Sequence, residues 1–356
     1  MATTGNSTGE VDKLRREFRF FAEMCAEHSP LYALLSSRAG EDDAVLALAT
    51  ERQPGQSAVN LLFAAVQYLL LGGAEHSLAS YYPSVGGDRS PEKAYPAFAD
   101  FCRVYATEIG RLVASRRVQT NEVGRCGLLL PAFALASTRF GGRPLELVEV
   151  GSSAGLALQF DRYQYEYTDS AGTPVHACGP ASSARVRTQL REGDACPLPN
   201  RLPEISGRTG IDVTLLDVAD DDAMRWIASL IWADQRHRQE LFHAALQIAR
   251  TSPAPGIAGD GVDLLPRVVA AIAPNHLPCI FHSHTIYQMR EAWRHRFADV
   301  VATLGRERDL VHLSLEWLGD EPRPQLRAAF YQDGVVERVH LADCHTHGFW
   351  MRWIAN

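Results

Sequence analysis

LELVEVGSSAGLALQFDRY, residues 145–163, is the stretch on which the fold turns. Leu145 to Val150 is an apolar run with acidic interruptions and of strand length. The small residues Gly151-Ser152-Ser153-Ala154-Gly155 follow it, and from Leu156 to Tyr163 apolar residues return at helical spacing. A strand that feeds a helix through a glycine turn opens a parallel α/β unit.

Downstream of this stretch the same alternation continues. Gly210–Val218 (GIDVTLLDV) reads as a strand and leads into a helix at Asp221–Leu230, whose first turn is acidic. His237–Arg250 reads as a helix, Gly259–Ala273 as a turn and helix, His276–Phe281 as a strand, Tyr287–Leu304 as a helix and Leu310–Leu315 as a strand. Gln325–Tyr331 and Val335–Leu341 flank Gln332-Asp333-Gly334, and the Asp-Gly pair predicts a tight hairpin. Residues 165–208, rich in Gly, Pro and Ser, read as an insertion beside the sheet.

Upstream the periodicity is different. From Val11 to about Phe140 the apolar residues recur at helical spacing, as in Leu14, Phe18 and Phe21 and again in Phe98, Phe101 and Ile109, with no clear strands. The expected fold class is α/β: a Rossmann-like, mainly parallel sheet with an antiparallel C-terminal hairpin, preceded by an all-helical N-terminal domain. Its expected divisions are a disordered tail over 1–10, a helical cap over 11–140 and the sheet domain over 141–356.

Composition narrows the function classes. The 356 residues are 46% hydrophobic and 22% charged, a globular balance, and 35 basic against 42 acidic residues leave a net charge of −7. No chain-wide cationic field is available for nucleic acid or anionic lipid, so a small-molecule partner is expected, with no nucleic acid and no membrane. The seven cysteines include no C-x-x-C pair. A polar N-terminal stretch and short apolar runs predict a cytoplasmic protein. Oligomeric state is not legible.

The glycine turn admits two chemistries. Glu149-Val150-Gly151-x-x-x-Gly155 resembles the first motif of class I S-adenosylmethionine-dependent methyltransferases, with Ser153 at the position of the usual central glycine. Asp212 resembles that family's acidic end of the second strand. Gly259-Asp260-Gly261 is similar to its later Gly-Asp stretch, and the terminal hairpin to its antiparallel last strand. The resemblance runs from Pro144 onward and implies a methyltransferase with S-adenosylmethionine as cofactor. Glu149 would serve the methionine amino end and the amides around Gly151, Ser152, Ser153 and Gly155 its carboxylate, while Asp212 would hold the ribose and Asp260 the adenine. The whole chain also resembles an uncharacterised bacterial family with the phrases SPLY (29–32), QTNEVGR (119–125) and EVGSSAGL (149–156), which implies no particular reaction. The same five residues equally satisfy G-x-S-x-G, the elbow of a serine hydrolase, with Ser153 as nucleophile, Asp260 or Glu316 as acid and His345 or His347 as base. A non-catalytic nucleotide-binding protein of the same fold is a third reading.

Other polar residues fall where catalysis would need them. His282 and His284 follow the strand ending at Phe281, and Glu316 ends the next strand, so these three are the catalytic candidates, with an imidazole as base. Asn121, Glu122 and Arg125 form a dense polar run before the apolar helix that starts at Cys126, and His347 follows the hairpin. These four are the substrate-binding candidates, Arg125 through its bidentate fork. Neither a cysteine pair nor an H-E-x-x-H helix is present, and no metal ligand set is assigned.

Overall fold

The computed structural model describes residues 4–319 and 321–355. The chain divides into two compact units, one of residues 1–120 with 220–240, the other of residues 121–219 with 241–356.

In the first unit the helices are α1 (Thr4–Cys25), α2 (Pro30–Ala39), α3 (Asp43–Leu48), α4 (Ala58–Leu71), α5 (Ala94–Val104) and α6 (Ala106–Ser115). Residues 4–10 of the expected disordered tail thus belong to a helix, and residues 1–3 lie outside the described residues. Local chemistry sets the helix starts: Ser29 caps α2 by accepting from the Tyr32 amide, with Pro30 at the first helical position, and Ser57 caps α4. Packing is aromatic: Phe63 lies between Phe18, Phe98 and Tyr32 at ring distances of 4.9 to 6.1 Å. The segment 220–240, which carries a later helix, is tied into this unit by buried polar bonds. Asp234 accepts from Ser29 Oγ (2.6 Å) and the Leu31 amide (3.1 Å), and Gln67 donates to the carbonyl of Ile231 (2.8 Å).

The second unit begins with α7 (Cys126–Arg139) and β1 (Leu145–Val150). Next come β2 (Gln164–Thr168), β3 (Pro174–Cys178), β4 (Arg185–Leu190) and β5 (Ile205–Asp212). The chain passes through α8 (Asp221–Ser229) and α9 (Arg236–Thr251), then β6 (Gly256–Ala258), α10 (Gly261–Ala270), β7 (Leu277–Ser283), α11 (Glu291–Glu307), β8 (Leu310–Glu316), β9 (Gln325–Gln332), β10 (Val335–Cys344) and β11 (Trp350–Trp353). These strands form one sheet in the order β3-β2-β4-β11-β10-β9-β8-β7-β1-β5-β6. The run β8-β7-β1-β5-β6 is parallel throughout, β9 lies antiparallel on β8, and β10 returns against β9. This is the Rossmann-like, mainly parallel sheet with an antiparallel hairpin that the sequence suggests, and no strand precedes Leu145 among the described residues.

β1 is buried on both faces, as a central parallel strand must be. Val148, Val150 and Ile280 pack under α10 and α11, against Val262, Leu265, Phe297 and Val301. On the opposite face Phe133 of α7 meets Phe281 and stacks on Phe160. Alternation along a strand therefore assigns each side chain of β1 and β7 to one face or the other.

Three details differ from the sequence reading. After the glycine turn the chain forms a 3-10 stretch (Ala157–Arg162) in place of an α-helix. Leu156, Ala157, Leu158, Gln159 and Phe160 are all buried, so no solvent-facing stripe exists to favour a longer amphipathic helix. The second strand starts earlier and ends at Asp212, because the Asp212 carboxylate accepts from the Thr214 amide (2.9 Å) and turns the chain out of the sheet. Residues 165–208 do not sit beside the sheet but extend it: β4 pairs with β11, and β2 and β3 follow. Among the described residues no helix is long and apolar enough to cross a membrane.

Candidate functional site

β1 lies between β5 on one side and β7 on the other, so the chain leaves it in both directions and opens a crevice at its carboxyl end. The glycine turn sits there. Gly151, Ser153 and Gly155 have φ of 81°, 54° and 68°, a left-handed alternation that folds the turn tightly. Gly151 is required for a second reason: a Cβ there would lie 2.3 Å from Thr285 Oγ1 in the loop after β7.

The turn is bonded inward. The amides of Gly151, Ser153 and Gly155 donate to the carbonyl of Ile211 (2.8 Å), Asp212 Oδ2 (2.8 Å) and the carbonyl of Ser152 (2.7 Å). With no α-helix starting here, the anion-receiving helix terminus expected around Gly151, Ser152, Ser153 and Gly155 is absent. Beside the turn, on the β5 side, is a cleft of about 290 Å³ lined by Ser153, Gly155, Leu215, Val218 and Pro253. Ser153 Oγ is buried and has no hydrogen-bond partner, so no imidazole activates it as the hydrolase reading requires.

Three acids lie at or just beyond the carboxyl ends of three adjacent parallel strands. Glu149 stands one residue before the end of β1, buried, with Oε2 unpartnered. Burial pushes its carboxyl well above the usual range, the neighbouring Asp212 charge adds to this, and the Arg125 guanidinium opposes it. Asp212 ends β5, its two oxygens accepting from Ser153 and Thr214. Asp260, after β6, caps α10 through the Val262 amide (2.8 Å) and accepts from Trp293 Nε1 at 2.9 and 3.0 Å.

The sign of the Glu149 effect is testable. A carboxyl whose folded proton affinity is raised contributes stability that is full below the ordinary carboxylate range and is lost as pH rises through the raised value. Glu149→Gln keeps the shape without the charge and should melt above the wild type at neutral pH, with the difference closing toward acid. Thermal melts from acid to neutral pH check this, and a variant that melts lower at neutral pH contradicts it.

A polar cluster fills the β7 side of the crevice. Asn121 Nδ2 donates to the carbonyl of Ser152 (2.9 Å) and links its segment to the turn. Arg125 is buried; its Nε donates to the carbonyl of Thr346 (2.8 Å) and its Nη1 to Ser283 Oγ (3.3 Å). Glu122 caps the short 3-10 turn before α7 and lies 3.4 Å from His347 Nδ1. The two loops meet backbone to backbone: a Cβ on Gly124 would lie 2.5 Å from the carbonyl oxygen of His347, and one on Gly348 2.2 Å from that of Gly124. His345 Nδ1 accepts from the His347 amide (3.0 Å), and its ring stacks on Phe349. His284, at φ 51°, leaves the strand into this cluster. Its Nε2 is shut off from solvent without a partner. Burial, then Arg125 and His347, hold its imidazole well below its ordinary value, partly offset by Glu122.

His282 and Glu316 are elsewhere. Alternation turns His282 to the α11 face, where its ring lies 5.7 Å from Phe297. Its Nδ1 pairs with Glu316 Oε1 at 2.7 Å and its Nε2 with His312 Nε2 at 3.0 Å. Glu316 also accepts from the amides of Thr285, Ile286 and Tyr287, at 2.9, 3.1 and 3.2 Å. Burial raises its carboxyl, but the His282 bond and charge and the amides outweigh this and leave it low. The pair holds the β7–α11 loop and is separated by the sheet from Arg125.

The crevice thus brings together Glu149, Ser152, Asn121, Glu122, Arg125, His284 and His347, with Asp212 and Asp260 on the neighbouring strand ends. His282 and Glu316 stand outside it. Ser283 and Trp293 are contributors that sequence spacing did not single out, since neither a lone serine between two histidines nor a helix tryptophan carries a motif. Among the described residues no group of three or more His, Cys, Asp or Glu is arranged to hold a metal ion. A family model described as an uncharacterized protein conserved in bacteria (DUF2332) matches residues 15–353. No curated protein matches the chain.

Proposed function

Since the chain belongs to the bacterial family DUF2332, which brings no assigned reaction, we propose from the site itself an S-adenosylmethionine-dependent methyltransferase acting on a small-molecule acceptor. One observation carries the reading: Glu149, Asp212 and Asp260 lie at or just beyond the carboxyl ends of three adjacent parallel strands around a left-handed glycine turn, at the point where the strand order reverses. The orphaned, buried Glu149 Oε2 suits the ammonium of the methionine end, since a cation there would satisfy it and favour its ionised form. Each Asp212 oxygen keeps a lone pair beyond its backbone bond, enough for the ribose hydroxyls. Asp260 would meet the adenine amino group while anchored by Trp293. The cofactor supplies an already activated methyl, so the chain's task is to align the acceptor and exclude water. Small acceptors fit a net charge of −7 better than nucleic acid does.

Thermal melting and calorimetry test this. S-adenosylmethionine or S-adenosylhomocysteine should raise the melting temperature and NAD should not, because a ligand selective for the native state stabilises it. Asp212→Ala should weaken nucleoside binding about ten- to hundred-fold, the range for losing hydrogen bonds to a charged acceptor. No response to either nucleoside, or equal affinity in the variant, overturns the reading.

A further inference from the structure

We propose that His284 is the proton acceptor of the site, and that the cluster around it receives a small molecule with an acidic hydroxyl, whose oxygen is held as an anion facing Arg125. Calling that molecule the methyl acceptor rests on the reading above; the acid–base site does not.

The geometry points to His284 alone among the histidines of this region. His282 is committed on both ring nitrogens, to Glu316 and His312, on the far face of the sheet. His345 Nδ1 accepts from a backbone amide, and His347 lies beside Glu122. His284 Nε2 is enclosed and has no hydrogen-bond partner, a costly state for a buried ring nitrogen. The residue is also one of three non-glycine residues at positive φ among those described, a strained conformation that turns the ring out of β7's alternation and into the cluster.

The charges facing it are Arg125, Glu122, His345 and His347, with the Tyr287 ring at 6.1 Å. Before a ligand arrives, burial and Arg125 keep the imidazole neutral, so Nε2 is available as a base. An acidic hydroxyl placed there loses its proton to Nε2: the O–H bond breaks, the electron pair stays on oxygen and a new N–H bond forms. The resulting oxyanion offsets both Arg125 and the new imidazolium, which desolvation alone would disfavour.

The test uses 4-nitrophenol, whose ionised form absorbs in the visible, on the full chain with no nucleoside present and at a pH below the phenol's own ionisation. Wild type is expected to bind it and show the phenolate band. His284→Asn, chosen because asparagine tolerates the left-handed backbone, should bind about ten-fold more weakly and without the band, one unit of proton affinity being a factor of ten. His295→Asn, on the exposed side of α11, should match wild type. Should His284→Asn fail to fold, imidazole ¹⁵N spectra of wild type decide: a ring signal should move to protonated values when the phenol is added. Absence of binding, binding without ionisation, or an unchanged band in a folded His284→Asn overturns the proposal. Phenol ionisation with no nucleoside binding keeps His284 as the base and removes only the methyl-transfer reading. Nucleoside binding with no phenol ionisation does the reverse.

Discussion

Gly151→Ala should destabilise the protein by about 2–5 kcal/mol and abolish ligand binding at the crevice. Two costs add. The left-handed conformation at φ 81° costs a residue with a Cβ about 1–2 kcal/mol, and overpacking a closed site costs about 1–3 kcal/mol more. The clash is not relieved by a rotamer change, because the new Cβ would lie 2.9 Å from Thr285 Cβ itself, and Thr285 is β-branched with its amide held by Glu316. Urea unfolding of Gly151→Ala in the wild-type and in the Thr285→Gly background, each against its own parent, separates the two, because glycine removes the Thr285 Cβ as well. The second substitution should recover part of the loss and leave the backbone share. Full recovery would mean that the left-handed turn costs nothing, and no recovery that the contact with Thr285 is not the limiting one.

Glu316→Ala should cost about 3–5 kcal/mol, the usual price of stripping one partner from a buried ionic network. Three amides at 2.9, 3.1 and 3.2 Å and His282 Nδ1 at 2.7 Å lose their acceptor together. Glu316→Gln keeps a carbonyl oxygen and should cost less. pH gives a second signature. A carboxylate whose folded proton affinity is lowered contributes stability that is present above its unfolded value and lost as pH falls through the folded value. His312, held neutral by burial and by the nearby His282, acts in the same direction, since protonating it in place is unfavourable. Wild-type stability should therefore drop steeply toward acid, and Glu316→Gln should flatten that slope. Equal slopes in the two proteins would show that the pair does not control acid unfolding.

Much of the parallel core was legible because its strands obey simple rules. LELVEV is apolar enough for burial on both faces, and Asp333-Gly334 takes the left-handed pair, φ 51° and 76°, of a tight hairpin. The 3-10 stretch after the turn was not legible, since a segment buried all round has no period to distinguish it. Nor were β2 to β4, whose docking depends on β11, the last strand of the chain and only four residues long. At the site, strand-end position drew out His284, whereas Arg125 stood out through the polar run before α7 and Glu149 through the resemblance of the glycine motif. His282 and His284 part for a physical reason: the two-residue period of a strand would put both on one face, but the positive φ at His284 breaks that period. His312 escaped notice because a mid-strand histidine carries no signal until its neighbour on the adjacent strand is known.

The glycine-to-glycine contact between the loops at Gly124 and Gly348 bears on biosynthesis. Arg125 and the carbonyl it grips at Thr346 are 221 positions apart, so nearly the whole sheet must leave the ribosome before the crevice acquires its second wall. A nascent chain halted before the hairpin would expose Arg125 and Glu149 without that wall, and ligand capture would then report that synthesis has passed the loop at Thr346.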